Sequence, residues 1–373
     1  MEWFIITGEY PPQPGGVADY TFLVAEELVR QGEKVTVFAP PCAEGAALSD
    51  SAVTVFRLPD HFGPGSFKAI DSVVRKCDRP WRLLVQYVPQ AFGYKAMNVR
   101  FPFWLVFRHY GKVWVMFHEV ACPLRWGQSC RCNILGAVTR GMAFLLAVSA
   151  ERIFFSVPAW RPMFPAWALK GKPCEALPVP SNIATVCSNE EPLRWRKESL
   201  GRAGRLVGHF GTYGPLITPM LTEVVLKLLS ADEELKVLFI GRNSGKFVQG
   251  LARQYPQSLS RVHSSADAAG RSVAGCLSAC DLLIQPYPDG VSGRRSSVMA
   301  SLALGMPVVT TRGSMTEVFW GDAEAVELVP AGDAPAFVLA SLRLLADGER
   351  RARIGRNGRK LYEENFSLER TVS

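Results

Sequence analysis

DGVSGRRSSVMASLALGMPVVTT, residues 289–311, is the most informative stretch of the chain. It begins with an Asp-Gly turn and continues as a small, mostly apolar helix that Gly305 ends. The run that follows, residues 306–311, is short and apolar, which predicts a buried strand. A helix that returns to a buried strand is typical of an α/β protein.

Two arginines and two serines crowd the start of this helix. Arg294 and Arg295 are unfavourable there, because the N-terminus of a helix already carries partial positive charge. Ser296 or Ser297 is expected to cap the helix with its hydroxyl oxygen. A phosphate bound by the helix N-terminus and by both guanidinium groups accounts for the cations, and we therefore predict an anion site here.

Strand and helix signals alternate along nearly the whole chain. Short apolar runs bounded by turn residues predict strands at 3–7, 34–40, 53–58, 82–88, 113–119, 144–150, 205–211, 236–241, 261–264, 281–287 and 306–311. Fully apolar strands separated by helices imply parallel sheets covered on both faces. A segment rich in Pro and Trp, residues 160–182, precedes a composition shift at 183–203. We therefore expect two doubly wound halves, 1–190 and 191–357, with the binding site in the cleft between them.

Length and composition fit a two-domain globular chain. The 373 residues are 48% hydrophobic and 20% charged, which argues against disorder. The net charge of +8 suits either a generally basic surface or attraction to a nucleotide diphosphate, a nucleic acid or an anionic membrane face. The sequence has no zinc-finger spacing and no basic run of five residues, so a nucleic-acid partner is not expected.

Cysteine usage and the N-terminus indicate a reducing compartment. Met1 leads straight into an apolar strand, and nine cysteines is an odd number, so free thiols and a cytoplasmic location are expected. The two close cysteine pairs lack the spacing of a metal site, and no metal is expected. The longest apolar stretch, 133–150, is interrupted by Arg140, so any contact with the inner membrane face would be peripheral. Residues 104–112 (WLVFRHYGK) fit either a membrane surface near a lipid acceptor or a buried strand and its flank.

The first half offers two candidate contacts at strand ends. In GEYPPQPGGVADYT, residues 8–21, Gly15 and Gly16 let the backbone approach an anion or a sugar, although a plain turn has the same pattern. In VMFHEV, His118 can donate a hydrogen bond or exchange a proton near neutral pH. A lone histidine after an apolar strand is, however, more often structural.

The second half offers two further loops besides 289–311. In HFGTYGP, residues 209–215, Thr212 and Gly214 lie where backbone N–H groups can cradle a phosphate. In IGRNSGKF, residues 240–247, Arg242 stands at a strand end, where a cation suits a diphosphate. An ordinary tight loop explains either segment equally well.

Together these loops resemble the GT-B-fold retaining glycosyltransferases of family 4, also described as glycosyl transferases group 1. The resemblance covers nearly the whole chain. It rests on EYPPQPGGVADYTFLVAEELVRQGEKVTVF, FHEV, LAVSAERI, LPVPSNI, ACDLLIQPYPDGVSGRRSSVMASLALGMPVVTTRGSMTEV and ENFSLER. It implies two Rossmann-like domains facing across a cleft, with the C-terminal segment, about 358–373, packed back on the first domain.

The resemblance also implies a reaction. A nucleotide-diphosphate sugar binds mainly to the second domain and the acceptor to the first, and the sugar is transferred with retention of its anomeric configuration. No metal or other cofactor is required, because basic side chains and helix dipoles stabilise the leaving diphosphate. The implied acceptor is a polysaccharide, a glycolipid or a small glycoside, and the sequence does not choose among them.

This sequence departs from the family pattern in two places. The family carries two glutamates with seven residues between them, and Ser292 and Ala300 stand at those positions. The loop at 211–219 also lacks the arginine and lysine that the family tends to place there. Three hypotheses follow: an active enzyme with a rearranged donor site, an enzyme with an unusual donor, or a protein that has lost catalysis and serves as a binding or scaffolding partner. The arginine pair favours the first.

The first hypothesis assigns roles to individual residues. Arg294 and Arg295 stabilise the leaving phosphate with help from Arg242, and His118 bonds a sugar hydroxyl or the acceptor. Glu317 either contacts the nucleotide or has a structural role. The remaining contacts are expected from the backbone or side chains of Gly15, Gly16, Thr212, Gly214, Ser292, Gly293, Ser296 and Ser297.

Overall fold

The chain forms two compact units. The computed structural model describes residues 1–42, 52–108, 110, 112–183, 196, 204–265 and 272–373. The first unit comprises Met1–Val179 and Leu368–Ser373, and the second comprises Pro180–Ser367. The boundary expected at 190/191 lies outside the described residues, and the described chain passes from one unit to the other after Val179.

The first unit is built on a seven-stranded parallel sheet. Its strands are β1 (Glu2–Thr7), β2 (Lys34–Ala39), β3 (Thr54–Arg57), β4 (Trp81–Tyr87), β5 (Val113–Phe117), β6 (Arg152–Phe155) and β7 (Cys174–Ala176). Their order is β3-β2-β1-β4-β5-β6-β7, so the direction of strand addition reverses between β1 and β4. In doubly wound sheets, ligands bind beyond the carboxyl ends of the two strands at such a reversal.

Helices cover both faces of this sheet. They are α1 (Gly16–Arg30), α2 (Pro64–Arg75), α3 (Arg100–Arg108), α4 (Cys130–Ser149) and α5 (Ala166–Leu169), with 3-10 turns at Pro89–Phe92, Tyr94–Ala96 and Pro158–Met163. Side chains alternate along β1: Phe4 and Ile6 pack into the core shared with α2–α5, whereas Trp3 and Ile5 pack into the core shared with α1. Burial from both sides explains why the strand is apolar throughout.

The strand predicted at 144–150 is wrong. Residues up to Ser149 belong to the end of α4, and the strand follows as β6, which pairs in parallel with β5. Met142, Ala143 and Leu146 are buried at helical spacing. A short apolar run has the same composition in a buried helix as in a buried strand, so periodicity alone does not separate the two.

The second unit is built on a six-stranded parallel sheet. Its strands are β8 (Arg205–Phe210), β9 (Leu235–Ile240), β10 (Val262–Ser264), β11 (Leu282–Gln285), β12 (Val308–Arg312) and β13 (Glu327–Pro330). Their order is β10-β9-β8-β11-β12-β13, so the reversal falls between β8 and β11. The predicted strands other than 144–150 overlap β1–β5 and β8–β12, whereas β6, β7 and β13 were not predicted.

Helices also flank the second sheet. They are α6 (Thr218–Ala231), α7 (Ser244–Gln254), α8 (Val273–Ser278), α9 (Ser296–Ala303), α10 (Phe319–Asp322), α11 (Ala334–Ala346) and α12 (Gly348–Asn365), with a 3-10 turn at Pro256–Arg261. α9 is the helix that follows the arginine pair, and it connects β11 to β12. Its side chains Val298, Met299 and Leu302 are fully buried in the apolar core of the unit.

The C-terminal segment is divided between the two units. α12 packs on α9, where a side chain at Gly355 would overlap the Gly305 carbonyl and one at Gly358 would crowd Leu302. The last helix, α13 (Leu368–Val372), contacts α1 instead. The chain therefore returns to the first unit at Leu368 rather than at about residue 358, because these glycines hold α12 against α9.

Candidate functional site

The loops expected to bind a donor leave the second sheet at its reversal point. β8 ends at Phe210 and β11 ends at Gln285, and the Gln285 side-chain amide donates to the Phe210 carbonyl at 3.1 Å. The loop at 211–217 therefore starts beside the loop at 286–295, which leads into α9. An open parallel sheet binds its ligands at this position.

Arg294 and Arg295 share one carboxylate. Arg294 Nη2 donates to Asp289 Oδ2 at 2.6 Å, and Arg295 Nη2 donates to Asp289 Oδ1. The Arg295 guanidinium also lies over the Tyr287 ring, with Cζ 4.3 Å from the ring centroid. Burial, and then the nearby charge of Arg294, lower the pKa of Arg295. The two arginines therefore share one carboxylate beside the helix start, and a second carboxylate, that of Glu317, interacts electrostatically with Arg294.

Glu317 fixes the same loop from the other side. Its Oε1 accepts from the Gly293 N–H at 3.0 Å, and its Oε2 accepts from Trp320 Nε1 at 2.9 Å. Burial raises the pKa of the Glu317 carboxyl, and these N–H donors oppose the rise. Gly290 adopts a φ of +89°, and a side chain there would overlap Thr316 Oγ1. Both oxygens of Glu317 face donors of the protein, which favours a structural role for this residue.

The two serines do not cap α9 as expected. The N-cap residue is Arg295, whose side chain makes no capping bond to the first turn. Ser296 and Ser297 occupy the first two helical positions. A hydroxyl caps the backbone N–H groups of the first turn from the N-cap position, which precedes both serines. Ser297 Oγ lies 2.6 Å from the Tyr287 hydroxyl instead. The start of α9 therefore has no cap from its own N-cap side chain, which suits an anion-binding helix.

Ser292 and Ala300, the positions of the two absent glutamates, are both fully buried. Ala300 lies in the apolar core of the second unit. Ser292 Oγ is also buried, and no described residue forms a hydrogen bond with it. Since buried hydroxyls are nearly always bonded, this one is an exception that needs an explanation. The Ser292 side chain is therefore not accessible to a ligand in this structure.

The loops after β8 and β9 contact each other through their glycines. A side chain on Gly241 would lie 2.6 Å from the Gly211 carbonyl, so the two backbones touch. Tyr213 adopts a φ of +59°, and its hydroxyl donates to the carbonyls of His209 and Ile240 at 3.1 and 3.0 Å. These contacts hold the loop at 211–217 against the next strand.

The three phosphate contacts predicted on these loops differ in accessibility. The Thr212 and Arg242 side chains are exposed. The Gly214 carbonyl instead accepts from the N–H groups of Ile217 and Thr218 at the start of α6, at 3.1 and 3.2 Å. Gly214 therefore ends the loop, whereas Thr212 and Arg242 are accessible to a ligand.

In the first unit, the glycine pair lies beside a carboxylate that the sequence analysis missed. Glu9 Oε1 accepts from the N–H groups of Val17 and Ala18, in the first turn of α1, at 2.9 and 3.1 Å. A side chain on Gly15 would overlap this carboxylate, whereas no described atom lies within 4 Å of the corresponding position on Gly16. Burial raises the pKa of Glu9, and the two N–H bonds oppose the rise. Glu9 thus occupies the anion position predicted for a ligand.

His118 lies against α1 at the end of β5. Its Nε2 is 2.8 Å from Gln86 Oε1, and its ring packs edge-on against Tyr20 with the centroids 4.7 Å apart. Burial lowers the pKa of His118 to about 3. The imidazole is therefore neutral near pH 7, which favours the hydrogen-bonding role over proton exchange. Gln86 was missed, although one polar residue in an otherwise apolar strand was a usable signal.

The described residues also bear on metals, disulfides and membrane spans. In this part of the chain, no group of three or more His, Cys, Asp or Glu side chains is placed to hold a metal ion. The cysteines described here form no disulfide. Judged by length and composition alone, α4 is long and apolar enough to cross a membrane. Of the stretch 104–112, Trp104 is buried and Phe107 is exposed, and residues 109 and 111 lie outside the described set.

Comparison with known proteins shows which proteins this chain is similar to. Residues 207–347 match the family model described as glycosyl transferases group 1. No curated protein matches the chain. Three similar solved structures are sucrose-phosphate synthase from Thermosynechococcus elongatus (TM-score 0.75, 16% identity, covering 100% of this chain and 96% of that one), HepE from Anabaena with UDP and glucose (0.68, 15%, 100% and 97%), and an α,α-trehalose-phosphate synthase (UDP-forming) from Burkholderia xenovorans with glucose-6-phosphate (0.69, 12%, 99% and 97%).

These comparisons confirm the fold and the group 1 resemblance expected from the sequence. The structural similarity extends over the whole chain, and the family match covers residues 207–347, which contain β11, the arginine pair and α9. The chain therefore has the GT-B fold, with two doubly wound Rossmann-like parallel-sheet domains, and residues 207–347 of its second unit match the glycosyl transferases group 1 model.

Proposed function

We propose that the chain is an active, retaining glycosyltransferase of the family 4 type. It takes a sugar from a nucleotide-diphosphate sugar and passes it, without a metal ion or other cofactor, to a carbohydrate or lipid-linked acceptor such as a polysaccharide, a glycolipid or a small glycoside. The observation that carries the proposal is the arginine pair at the start of α9, at the reversal point of the second sheet. Two guanidinium groups have the charge and the planar geometry to grip a diphosphate.

In this proposal the diphosphate takes the place of Asp289. A diphosphate brings more negative charge to the two arginines than the one carboxylate that they share, and it also faces the N–H groups of α9. Pre-positioned donors aimed at the charge that develops on a leaving group are usually the largest catalytic contribution in such sites. The exposed Thr212 and Arg242 supply further contacts to the same anion.

In the first unit, His118 contributes a hydrogen bond rather than a proton. Its neutral ring, oriented by Gln86, bonds a hydroxyl of the sugar or of the acceptor. Glu9 satisfies the first N–H groups of α1 until a ligand competes for them. These assignments are supported by the contact between His118 and Tyr20 of α1, which brings the histidine to the helix that follows Gly15 and Gly16.

The comparisons support this class of donor. The group 1 domain contains the arginine pair. HepE from Anabaena has been solved in complex with UDP-glucose, and the Burkholderia xenovorans protein is named for forming UDP. We extend these properties to the present chain as a nucleotide-diphosphate sugar donor. We also propose a cytoplasmic location, which the cysteine usage of the sequence led us to expect.

One observation favours a second candidate, a GT-B protein that binds without catalysing transfer or that uses an unusual donor. Ser292 and Ala300 leave both carboxylate positions of the resembling family without charge, and both residues are buried. A protein that only binds differs from the first candidate in turnover, whereas an enzyme with an unusual donor differs in which donor it accepts.

Incubation of the purified chain with a panel of nucleotide sugars, with and without acceptors, tests the proposal. Release of nucleoside diphosphate from at least one donor is expected, unaffected by a chelator, and NMR of the product should show the donor's anomeric configuration. A thermal-shift panel run in parallel should show stabilisation of about 2.7 kcal/mol at a hundredfold excess over Kd. Stabilisation without turnover supports the second candidate, and a flat result in both panels contradicts the proposed function.

A further inference from the structure

Positive charge is concentrated in one segment of the first unit. Between residues 79 and 174 the sequence has two acidic residues, Glu119 and Glu151, against thirteen lysines and arginines. The rest of the chain has 29 basic and 32 acidic residues. The net positive charge of the protein therefore originates in the segment that contains α3, α4 and α5.

α4 presents an apolar face to solvent. One side of the helix, including Met142, Ala143 and Leu146, is buried in the core of the unit. The opposite side carries, at helical spacing, Ile134, Ala137, Gly141, Leu145 and Val148. Ile134 is 59% exposed and Val148 is 40% exposed. A surface helix of a globular protein ordinarily has charged residues on its outer side, so this uncharged face indicates that something apolar covers it.

Aromatic side chains extend this face onto the neighbouring helices. α3 packs beside α4 and exposes Phe103 and Phe107, whose rings stack with centroids 6.4 Å apart. Phe107 is 73% exposed. α5 packs on α4 as well, and its exposed Trp167 meets the Phe144 ring edge-on at 5.1 Å. Trp126, in the loop before α4, is fully exposed. Exposed Trp and Phe beside an apolar helix face are typical of proteins that lie in the headgroup region of a bilayer.

Cations border the apolar face. Arg125 and Arg131 are exposed at the N-terminal end of α4, and Arg161 and Lys170 are exposed on either side of α5. Within the described residues none of these four side chains forms an ion pair. An apolar strip with unpaired cations at its edge complements a surface that is anionic outside and apolar beneath, which is the surface of a bilayer with acidic lipids.

The connectivity of α4 indicates that this face lies on a bilayer and that the helix does not cross it. α4 joins β5 to β6, which pair directly in the sheet from Trp114 with Arg152 to Phe117 with Phe155. Insertion of α4 across a membrane would remove its buried side from the core and break this β–α–β unit. Binding in the plane of the interface keeps the core intact and covers only the exposed side.

We propose that the outer face of α3, α4 and α5 docks the protein on the surface of an anionic lipid bilayer. Phe107, Trp126, Ile134 and Trp167 enter the headgroup boundary, and the bordering cations meet the lipid phosphates. The inference does not depend on sugar transfer, because none of these residues belongs to the donor loops. It gives the peripheral membrane contact expected from the sequence a defined surface.

Flotation of the full chain with vesicles tests this proposal. Binding should be strong with vesicles that contain phosphatidylglycerol, weak with pure phosphatidylcholine, and reduced by salt. Phe107→Glu with Ile134→Glu should lower binding about tenfold or more, and Arg125→Gln with Arg131→Gln should lower it about fivefold per cation removed. Leu339→Glu, an exposed leucine of the second unit, is the matched control and should bind like the unmodified chain. All of these positions are exposed, and circular dichroism melts verify that the variants fold.

Three results would overturn the proposal: equal binding to neutral and anionic vesicles, unchanged binding of both double variants, or no vesicle binding at all. If Phe107→Glu with Ile134→Glu instead converts a dimer to a monomer in light scattering and no vesicles are bound, the face is an interface between copies of the chain. The variant Arg294→Ala with Arg295→Ala should float with vesicles like the unmodified chain. Failure of the donor site and failure of membrane docking are therefore separate outcomes.

Discussion

The guanidinium of Arg294 is paired with the Asp289 carboxylate at 2.6 Å, across a loop of four residues. Arg295 reaches the other oxygen of the same carboxylate. The pairing explains how two cations are tolerated beside a helix N-terminus in the absence of a ligand, since the carboxylate reduces the repulsion between them. Under the proposed function, Asp289 is the group that an incoming diphosphate would displace or join.

Asp289→Asn should therefore lower stability and increase the response to ligand. The substitution removes the carboxylate that the two arginines, 19% and 20% exposed, share, at a cost of about 1–2 kcal/mol or a few degrees in Tm. A nucleoside diphosphate should then raise Tm by more in the variant than in the unmodified chain, because it replaces the missing charge. Asp322→Asn, at an exposed position of the same unit, is the control. A smaller shift in Asp289→Asn than in the unmodified chain would speak against displacement.

Gly15 and Gly16 form a matched pair for testing the glycine loop. A methyl group at Gly15 would overlap the Glu9 carboxylate, whereas one at Gly16 would meet no described atom within 4 Å. Gly15→Ala should displace Glu9 from the N–H groups of α1 and lower stability by about 1–3 kcal/mol in denaturant unfolding. Gly16→Ala should be neutral or slightly stabilising, since alanine favours the helix. If Gly16→Ala keeps its stability but loses activity, the Gly16 backbone contacts substrate; equal stability losses would contradict the placement of Glu9.

The burial of His118 predicts a loss of stability in acid. Its pKa is lowered from 6.5 to about 3 in the folded chain, so below pH 6.5 the unfolded chain takes up a proton that the folded chain does not. Stability from this residue is complete above pH 6.5 and falls as the pH drops towards 3, with a slope of at most about 1.4 kcal/mol per pH unit. His118→Gln should show a shallower slope in urea unfolding between pH 6.5 and 4. An unchanged slope would mean that the ring is protonated more easily than its burial implies.

The same burial makes a prediction about activity. A neutral His118 only forms a hydrogen bond with a hydroxyl and does not titrate between pH 5.5 and 8. The dependence of kcat on pH in this range should therefore have the same shape in the unmodified chain and in His118→Gln. The variant should lose kcat more than donor affinity. An inflection near pH 6.5 in the unmodified chain alone would show instead that His118 exchanges a proton during turnover.

Ser292→Ala tests whether the buried hydroxyl forms a hydrogen bond with a ligand when one is bound. No described residue bonds Ser292 Oγ, so removing it should leave stability unchanged or raise it by up to about 1 kcal/mol. If the loop moves and the hydroxyl then bonds the sugar, the variant should lose affinity for the nucleotide sugar but not for the nucleoside diphosphate. Calorimetry with both ligands separates the two results. A marked loss of stability would reveal a hydrogen bond absent from the structure described here.

Much of the fold could be predicted because apolar runs and turn residues report burial directly. β1 is apolar throughout because Phe4 and Trp3 enter two different cores. The end of α4 was misassigned because a short apolar run of residues has the same composition in a buried helix as in a buried strand. The return of the chain at Leu368 depends on the contact of Gly355 with Gly305, a tertiary relationship that no local pattern contains.

The candidate site was predictable where charge opposed a local preference. Arg294 and Arg295 were predicted as phosphate ligands because cations beside a helix N-terminus need a reason; the structure places both at the start of α9, and their role stays a prediction. Their partner Asp289 was interpreted only as a turn residue. The spacing of residues in the sequence does not show which carboxylate an arginine side chain contacts. Glu9 was missed for the same reason, and the neutrality of His118 follows from burial, which one residue at a strand end does not reveal.

The most direct measurement is the affinity for a nucleoside diphosphate, by calorimetry, of the unmodified chain and of the double variant Arg294→Ala with Arg295→Ala. The loss of two charge-assisted contacts should weaken binding about a hundredfold or more. Arg343→Ala with Arg353→Ala removes the same charge from exposed positions of the same unit and should change Kd less than about threefold. A folded Arg294→Ala with Arg295→Ala variant that binds as tightly as the unmodified chain would contradict the arginine clamp.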